Sequence, residues 1–168
     1  MGLVSRLIFV LGLGLVVVLA WGGLARHATW QEYLALSEEI RQGRARPEDL
    51  ARVAPLLART APEHCAVLRS GAPVLLHLYA SDARARDLGV NPFLPSDDPD
   101  LTATRIATRD AVTQALACTP MNGDLWLSRA IIGRALGEDA AQVARYLALS
   151  DRYAPHEGWI SQRRALLF

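Results

Sequence analysis

Apolar residues are distributed unevenly along the chain. Residues 7–24 contain no charged side chain and consist almost wholly of apolar residues, whereas the chain after Arg26 mixes apolar and polar positions at helical spacing. A helix rises about 1.5 Å per residue and needs roughly 20 apolar residues to cross a hydrocarbon core about 30 Å thick. The pattern predicts an all-α protein, with a transmembrane signal anchor over residues 1–25 and a helical domain over residues 26–168.

Capping residues and helical spacing predict the elements of the second region. Thr29 and Glu32 have the spacing of a capping box at the start of a helix that ends near Gln42. The alternative is that this helix continues directly from the apolar run, because only Gly22 and Gly23 between them are strong helix breakers. Asp98 followed by Pro99 predicts another helix start, and the prolines before it predict an irregular loop over residues 89–99. Helices are expected over residues 30–42, 47–60, 73–88, 98–118, 124–136, 139–153 and 156–167, with Ile106, Val112, Ala115 and Leu116 forming a buried stripe.

The charge balance excludes one class of partner. The 18 basic residues are all Arg, which indicates a GC-rich, bacterial coding sequence, and the 17 acidic residues nearly balance them. The region after the apolar run therefore has no basic field to attract phosphate backbones, and we expect no nucleic-acid partner.

Charges at the two ends of the apolar run predict its orientation. The N-terminus and Arg6 precede the run, an arrangement typical of a signal anchor that leaves the following domain outside the cytoplasm. We expect a single-pass protein of the bacterial inner membrane with its domain in the periplasm. Trp21 and Trp30 would then anchor the span at the membrane interface. A cleaved signal peptide is the alternative, because small residues such as Ala20 and Ala25 could serve a peptidase.

Two cysteines, Cys65 and Cys118, lie in the predicted exported region. An oxidising compartment would allow a disulfide between them, and two independent buried thiols are the alternative. His64 beside Cys65 is a weak candidate metal pair, because no CxxC or HxxxH spacing accompanies it. We therefore expect no metal site.

No catalytic constellation is recognisable. The absence of Lys excludes a phosphate-binding GxxxxGK loop and a Schiff-base lysine, and GxSxG, HExxH and GxGxxG are also absent. The four histidines are scattered along the chain. The sequence therefore predicts no enzyme activity, no catalytic residue and no cofactor.

Internal similarity suggests a repeat. Pro120 and Pro155 are 35 residues apart, and Trp126 and Trp159 are 33 apart, near the 34-residue period of the tetratricopeptide repeat. The segment 120–150 resembles one repeat of that family, which implies a helical hairpin. In that hairpin we expect close packing through small residues, namely Ala130 and Gly133 of the first helix and Ala140, Ala141, Ala144 and Ala148 of the second.

A second resemblance suggests the part of the cell in which the protein acts. The segments 118–126, 147–150 and 154–155 are similar to those of small single-span alphaproteobacterial envelope proteins, some of which accompany polysaccharide export machinery. The resemblance implies service in the bacterial envelope. It implies no catalytic residue.

A membrane-anchored periplasmic scaffold or assembly protein that binds another envelope protein is the function these patterns favour. Trp126 and Trp159 are expected to pack in the hairpin core, with a ligand groove as the alternative. An acidic peptide or a glycan could contact the arginines of the last fifty residues, Arg129, Arg134, Arg145, Arg163 and Arg164. The alternatives are an accessory subunit whose span packs into a membrane enzyme or transporter, and a glycan-binding protein.

Overall fold

The computed structural model describes residues 3–58, 65 and 71–167, with no side chains described for residues 3–10, 24–29, 47 and 166–167. These residues form helices and no strands, which confirms the all-helical part of the predicted fold class for the described part of the chain. The elements are α1 (Leu3–Arg41), a 3-10 turn (Pro47–Asp49), α2 (Leu50–Ala58), α3 (Ala72–Asp87), α4 (Pro99–Cys118), α5 (Gly123–Ala135), α6 (Ala140–Tyr153) and α7 (Gly158–Leu167).

The predicted membrane span is not found. No helix within the described residues is long and apolar enough to cross a membrane. The predicted transmembrane helix and the predicted single-pass inner-membrane localisation are therefore wrong for the residues described.

Helix α1 continues past Thr29 without a break. An N-cap residue lies outside its helix, so the predicted capping box at Thr29 is wrong, and the alternative that this helix continues from the apolar run is confirmed. The membrane-interface role predicted for Trp21 and Trp30 requires a membrane span. Trp21 is exposed, whereas Trp30 packs beside Tyr33 with 6.4 Å between the ring centroids.

Within the described ranges, three apolar clusters connect successive helices. The first joins the end of α1 to α2 and α3, the second joins α3, α4 and α5, and the third joins α5 to α7 and the end of α6. Their buried members are Tyr33, Leu36, Val53, Leu56 and Leu76 in the first, Val74, Val112, Ala115, Leu116 and Leu125 in the second, and Leu127, Ile131, Ala154 and Ile160 in the third.

Gly123 at the start of α5 lies against the end of α6 with no space for a side chain. A Cβ atom built on Gly123 would lie 2.9 Å from both the backbone nitrogen of Ala154 and the carbonyl oxygen of Ser150. The Ser150 hydroxyl donates to the Gly123 carbonyl at 2.8 Å. The predicted contact through the alanines of α6 is wrong, because those residues are exposed and the buried residues of that helix are Val143 and Ser150.

Helix α4 begins as predicted, but its buried face differs. The Asp98 carboxylate accepts the N–H of Leu101 at 2.7 Å, with Pro99 in the first turn, which confirms the predicted cap. Ile106 is exposed, and Arg105 beside it is 1% exposed. The Arg105 guanidinium donates to the carbonyl of Ala135 at 2.9 Å and to that of Pro92 at 3.1 Å. Hydrogen bonds to backbone carbonyls thus allow a charged residue to occupy the core.

A disulfide joins Cys65 to Cys118, with 2.07 Å between the sulfur atoms. The predicted bridge is confirmed, and the alternative of two independent thiols is excluded. The bond attaches the chain between α2 and α3 to the last residue of α4.

We expect loss of this disulfide to lower the free energy of unfolding by about 4 kcal/mol, because the bond closes a loop of 53 residues in the unfolded chain. Urea denaturation of Cys65→Ser and of the double variant Cys65→Ser/Cys118→Ser should give the same loss, since either change removes the one bond. A wild-type midpoint that does not move on reduction would contradict this expectation.

Replacing Gly123 by Ala should destabilise the fold by about 1–3 kcal/mol, because the new methyl group meets the backbone of α6. Gly158→Ala is the matched control, since a Cβ atom at Gly158 meets nothing within 4 Å. The control should be neutral or stabilise the fold by up to about 1 kcal/mol. Thermal unfolding of both variants tests the close approach, and equal stabilities would argue against it.

Candidate functional site

An open groove of about 770 Å³ lies between α3, the α4–α5 link, the start of α5 and α7. We call it the Trp159 groove. Helix α3 supplies apolar side chains to it, and the end of α1 contributes Arg41. The lining residues used below are Val74, Leu75, Leu78, Met121, Asn122, Asp124, Glu157, Trp159 and Arg163.

The start of α5 is set locally by Asn122. Its side-chain oxygen accepts the backbone N–H groups of Asp124 at 3.0 Å and of Leu125 at 3.2 Å. An asparagine in this position satisfies donors that the first turn of a helix leaves unpaired. The cap thus fixes Asp124 at the groove while Leu125 enters the core.

Two large apolar side chains in the groove are exposed. Trp159 is 52% exposed and Met121 is 72% exposed. The prediction that Trp159 packs in the hairpin core is wrong, and the structure places it in the groove that was the alternative. Trp126 behaves as predicted, because it packs against the second apolar cluster and stacks on Tyr146 at 6.0 Å between ring centroids.

The charged side chains that line the groove differ in whether they have an ion-pair partner. Asp124 accepts from Arg163 at 3.1 Å, and the Arg163 guanidinium lies 5.9 Å from the centre of the Trp159 ring. Burial raises the pKa of Asp124, Glu157 raises it further, and Arg163 opposes both. Glu157 is exposed and has no ion-pair partner within the described part of the chain.

Only one of the five arginines predicted as a partner surface lines the groove, and it is Arg163. Arg129 bonds Glu138 at 2.8 Å and lies over the Tyr146 ring at 4.4 Å. Arg164 bonds the Ser150 hydroxyl and the Ala154 carbonyl. Arg134 is half-buried and Arg145 is exposed. Arg129 and Arg164 therefore hold helices together.

A smaller cleft adjoins the groove and contains Asp82. It has a volume of about 130 Å³ and shares Leu75, Leu78 and Arg163 with the groove. Burial raises the pKa of Asp82, against the opposing charges of Arg86, Arg163 and Arg105. Sequence reasoning missed this residue, although its spacing from Leu75 and Leu78 places a carboxylate on an apolar face of α3.

The described residues outside the groove and the cleft offer few candidate metal-binding or reactive groups. No group of three or more His, Cys, Asp or Glu side chains among them could hold a metal ion. Cys65 is in the disulfide, and its weak candidate partner His64 lies outside the described residues. Burial lowers the pKa of His77, whose carbonyl accepts from Thr108 at 3.3 Å. His77 therefore lies at a contact between α3 and α4.

No protein-family model, curated protein or solved structure matches this chain. The tetratricopeptide-like resemblance therefore stays a prediction.

Asp82→Asn should make the protein more stable at pH 7. Because burial raises the pKa of Asp82 above 3.8, the folded state binds this proton more tightly than the unfolded state does. The stabilisation from the protonated form is complete below pH 3.8 and is lost as pH rises through the higher folded-state pKa. Denaturation across pH 3–8 should show a gain for the variant that disappears at low pH.

Asp97→Asn is the control for this measurement, because Asp97 lies on the exposed loop before α4. We expect no comparable gain from it. A lower stability of Asp82→Asn than of wild type at pH 7 would contradict the expected sign.

Proposed function

We propose that the protein is a small helical scaffold that binds an apolar segment of another protein in the Trp159 groove. The observation that carries the proposal is that the half-exposed indole of Trp159 and the exposed Met121 line the same groove as apolar side chains of α3. Charged and amide groups accompany this apolar surface. An apolar centre with a polar surround is the usual arrangement of protein interfaces.

The two exposed side chains suit a peptide ligand for different reasons. Tryptophan contributes a large apolar area with few rotatable bonds, and it is enriched among residues that dominate binding energy. Methionine is flexible and adapts to differently shaped partners. Together they would accept an apolar side chain between α7 and the α4–α5 link.

The expectation that the protein serves in the bacterial envelope comes from the sequence resemblance alone. Envelope assembly, including polysaccharide export, stays a prediction, and so does the absence of enzyme activity. The accessory-subunit alternative requires a membrane span, and no helix within the described residues could form one.

Trp159→Ala should weaken binding of a groove ligand by at least about tenfold, as expected for removal of a central aromatic anchor. Trp21→Ala is the matched control, because Trp21 is also exposed but does not line the groove. Peptides selected from a random displayed library on the full chain provide the ligands, and titration calorimetry measures their affinities.

Selected peptides that lose affinity for Trp159→Ala and keep it for Trp21→Ala would support the proposal. The proposal fails if no peptide is recovered, or if all recovered peptides bind Trp159→Ala as tightly as wild type.

A glycan is the second candidate ligand. The exposed ring of Trp159 and the polar groups of Asn122, Asp124 and Glu157 offer one flat apolar face with hydrogen-bonding groups in the same groove. Binding would raise the melting temperature in the presence of oligosaccharides. A rise that Trp159→Ala abolishes, together with failure of the peptide selection, would favour this candidate over a peptide ligand.

A further inference from the structure

The two arginines that line the Trp159 groove already have carboxylate partners. Arg163 bonds Asp124 at 3.1 Å, and Arg41 lies 3.8 Å from Glu38. An acidic ligand would have to compete with these carboxylates for the arginines. The expectation that arginines of this region receive an acidic peptide is therefore not favoured at the groove.

Glu157 differs from these two arginines in its ion pairing. It lines the groove, is exposed, and pairs with no cation in the described ranges 3–58, 65 and 71–167. Its backbone carbonyl accepts from Ile160 at 2.9 Å and from Ser161 at 3.0 Å, so it stands at the N-terminus of α7. The positive end of a helix stabilises a carboxylate there, which explains how an unpaired acid is tolerated.

Asp124 adds to the negative charge beside Glu157. The two carboxylates are close enough for the charge of Glu157 to act on Asp124. Two arginines of the groove oppose this negative charge: Arg163 bonds Asp124 at 3.1 Å, and the positive charge of Arg41 also acts on Asp124. Glu157 is thus the carboxylate of this pair that has no ion-pair partner among the described residues.

We propose that the protein segment bound in the Trp159 groove has a lysine or arginine next to its apolar anchor, and that this cation pairs with Glu157. The inference rests on the function proposed above and specifies the chemistry of the partner. Trp159 would receive the apolar side chain, while Glu157, two residues earlier in the chain, would receive the flanking cation. Charge complementarity of this kind selects among partners that present the same apolar group.

Three capped peptides with one shared Leu-Phe-Leu core test the inference on the full-length protein. The core is flanked by lysines, by serines or by glutamates. We expect the lysine peptide to bind about two- to fivefold more tightly than the serine peptide, as for one exposed ion pair, and the glutamate peptide to bind most weakly. The preference should disappear near 1 M salt, where the Debye length falls to about 3 Å.

Variants of Glu157 identify the responsible group. Glu157→Gln should abolish the preference for lysine over serine, and Glu157→Arg should favour the glutamate peptide. Asp97→Asn is the control, because it removes an equal charge from an exposed residue that does not line the groove. It should leave the preference unchanged.

The outcomes separate this inference from the function on which it rests. If the three peptides bind wild type equally, or if Glu157→Gln retains the lysine preference, the cation inference is overturned and peptide binding stands. If none of the three binds, this inference is overturned, and the library selection decides separately whether the groove binds any peptide.

Discussion

The buried guanidinium of Arg105 is the interaction on which the arrangement of the helices most depends. A charged group in the interior is tolerated only where hydrogen bonds replace its lost hydration. Arg105 extends from α4 to the carbonyl of Ala135 at the end of α5 and to that of Pro92 in the loop after α3. One side chain therefore fixes three parts of the chain, and each carbonyl would lose a partner without it.

The groove depends on a second set of contacts at the other end of α5. Ser150 bonds the Gly123 carbonyl, and Arg164 bonds both Ser150 and the Ala154 carbonyl. These bonds hold the start of α5, the end of α6 and α7 together. The disulfide fixes Cys118 in the same groove. Trp159 is thus exposed on α7, and polar contacts with the end of α6 hold that helix in position.

Local signals in the sequence predicted the positions of the helices more accurately than they predicted which residues of each helix are buried. Caps such as Asp98 act within one turn, so the sequence locates them directly. The orientation of a helix about its axis depends on partners distant in sequence, which a local pattern does not show. For this reason Arg105 is buried where Ile106 was predicted, and the alanines of α6 are exposed where a close contact was predicted. Of the groove, sequence reasoning named Trp159 and Arg163 but missed Asp124 and Glu157, because spacing alone does not show which carboxylate lacks a partner.

The use of arginine alone among the basic residues has a structural consequence. Arg105, Arg129 and Arg164 each use the several donors of a planar guanidinium on internal acceptors, a role that the single ammonium group of lysine would not fill in the same way. Their positive charges are largely withdrawn from solvent. Glu157 in the groove contrasts with these three arginines, because it is exposed and has no ion-pair partner among the described residues.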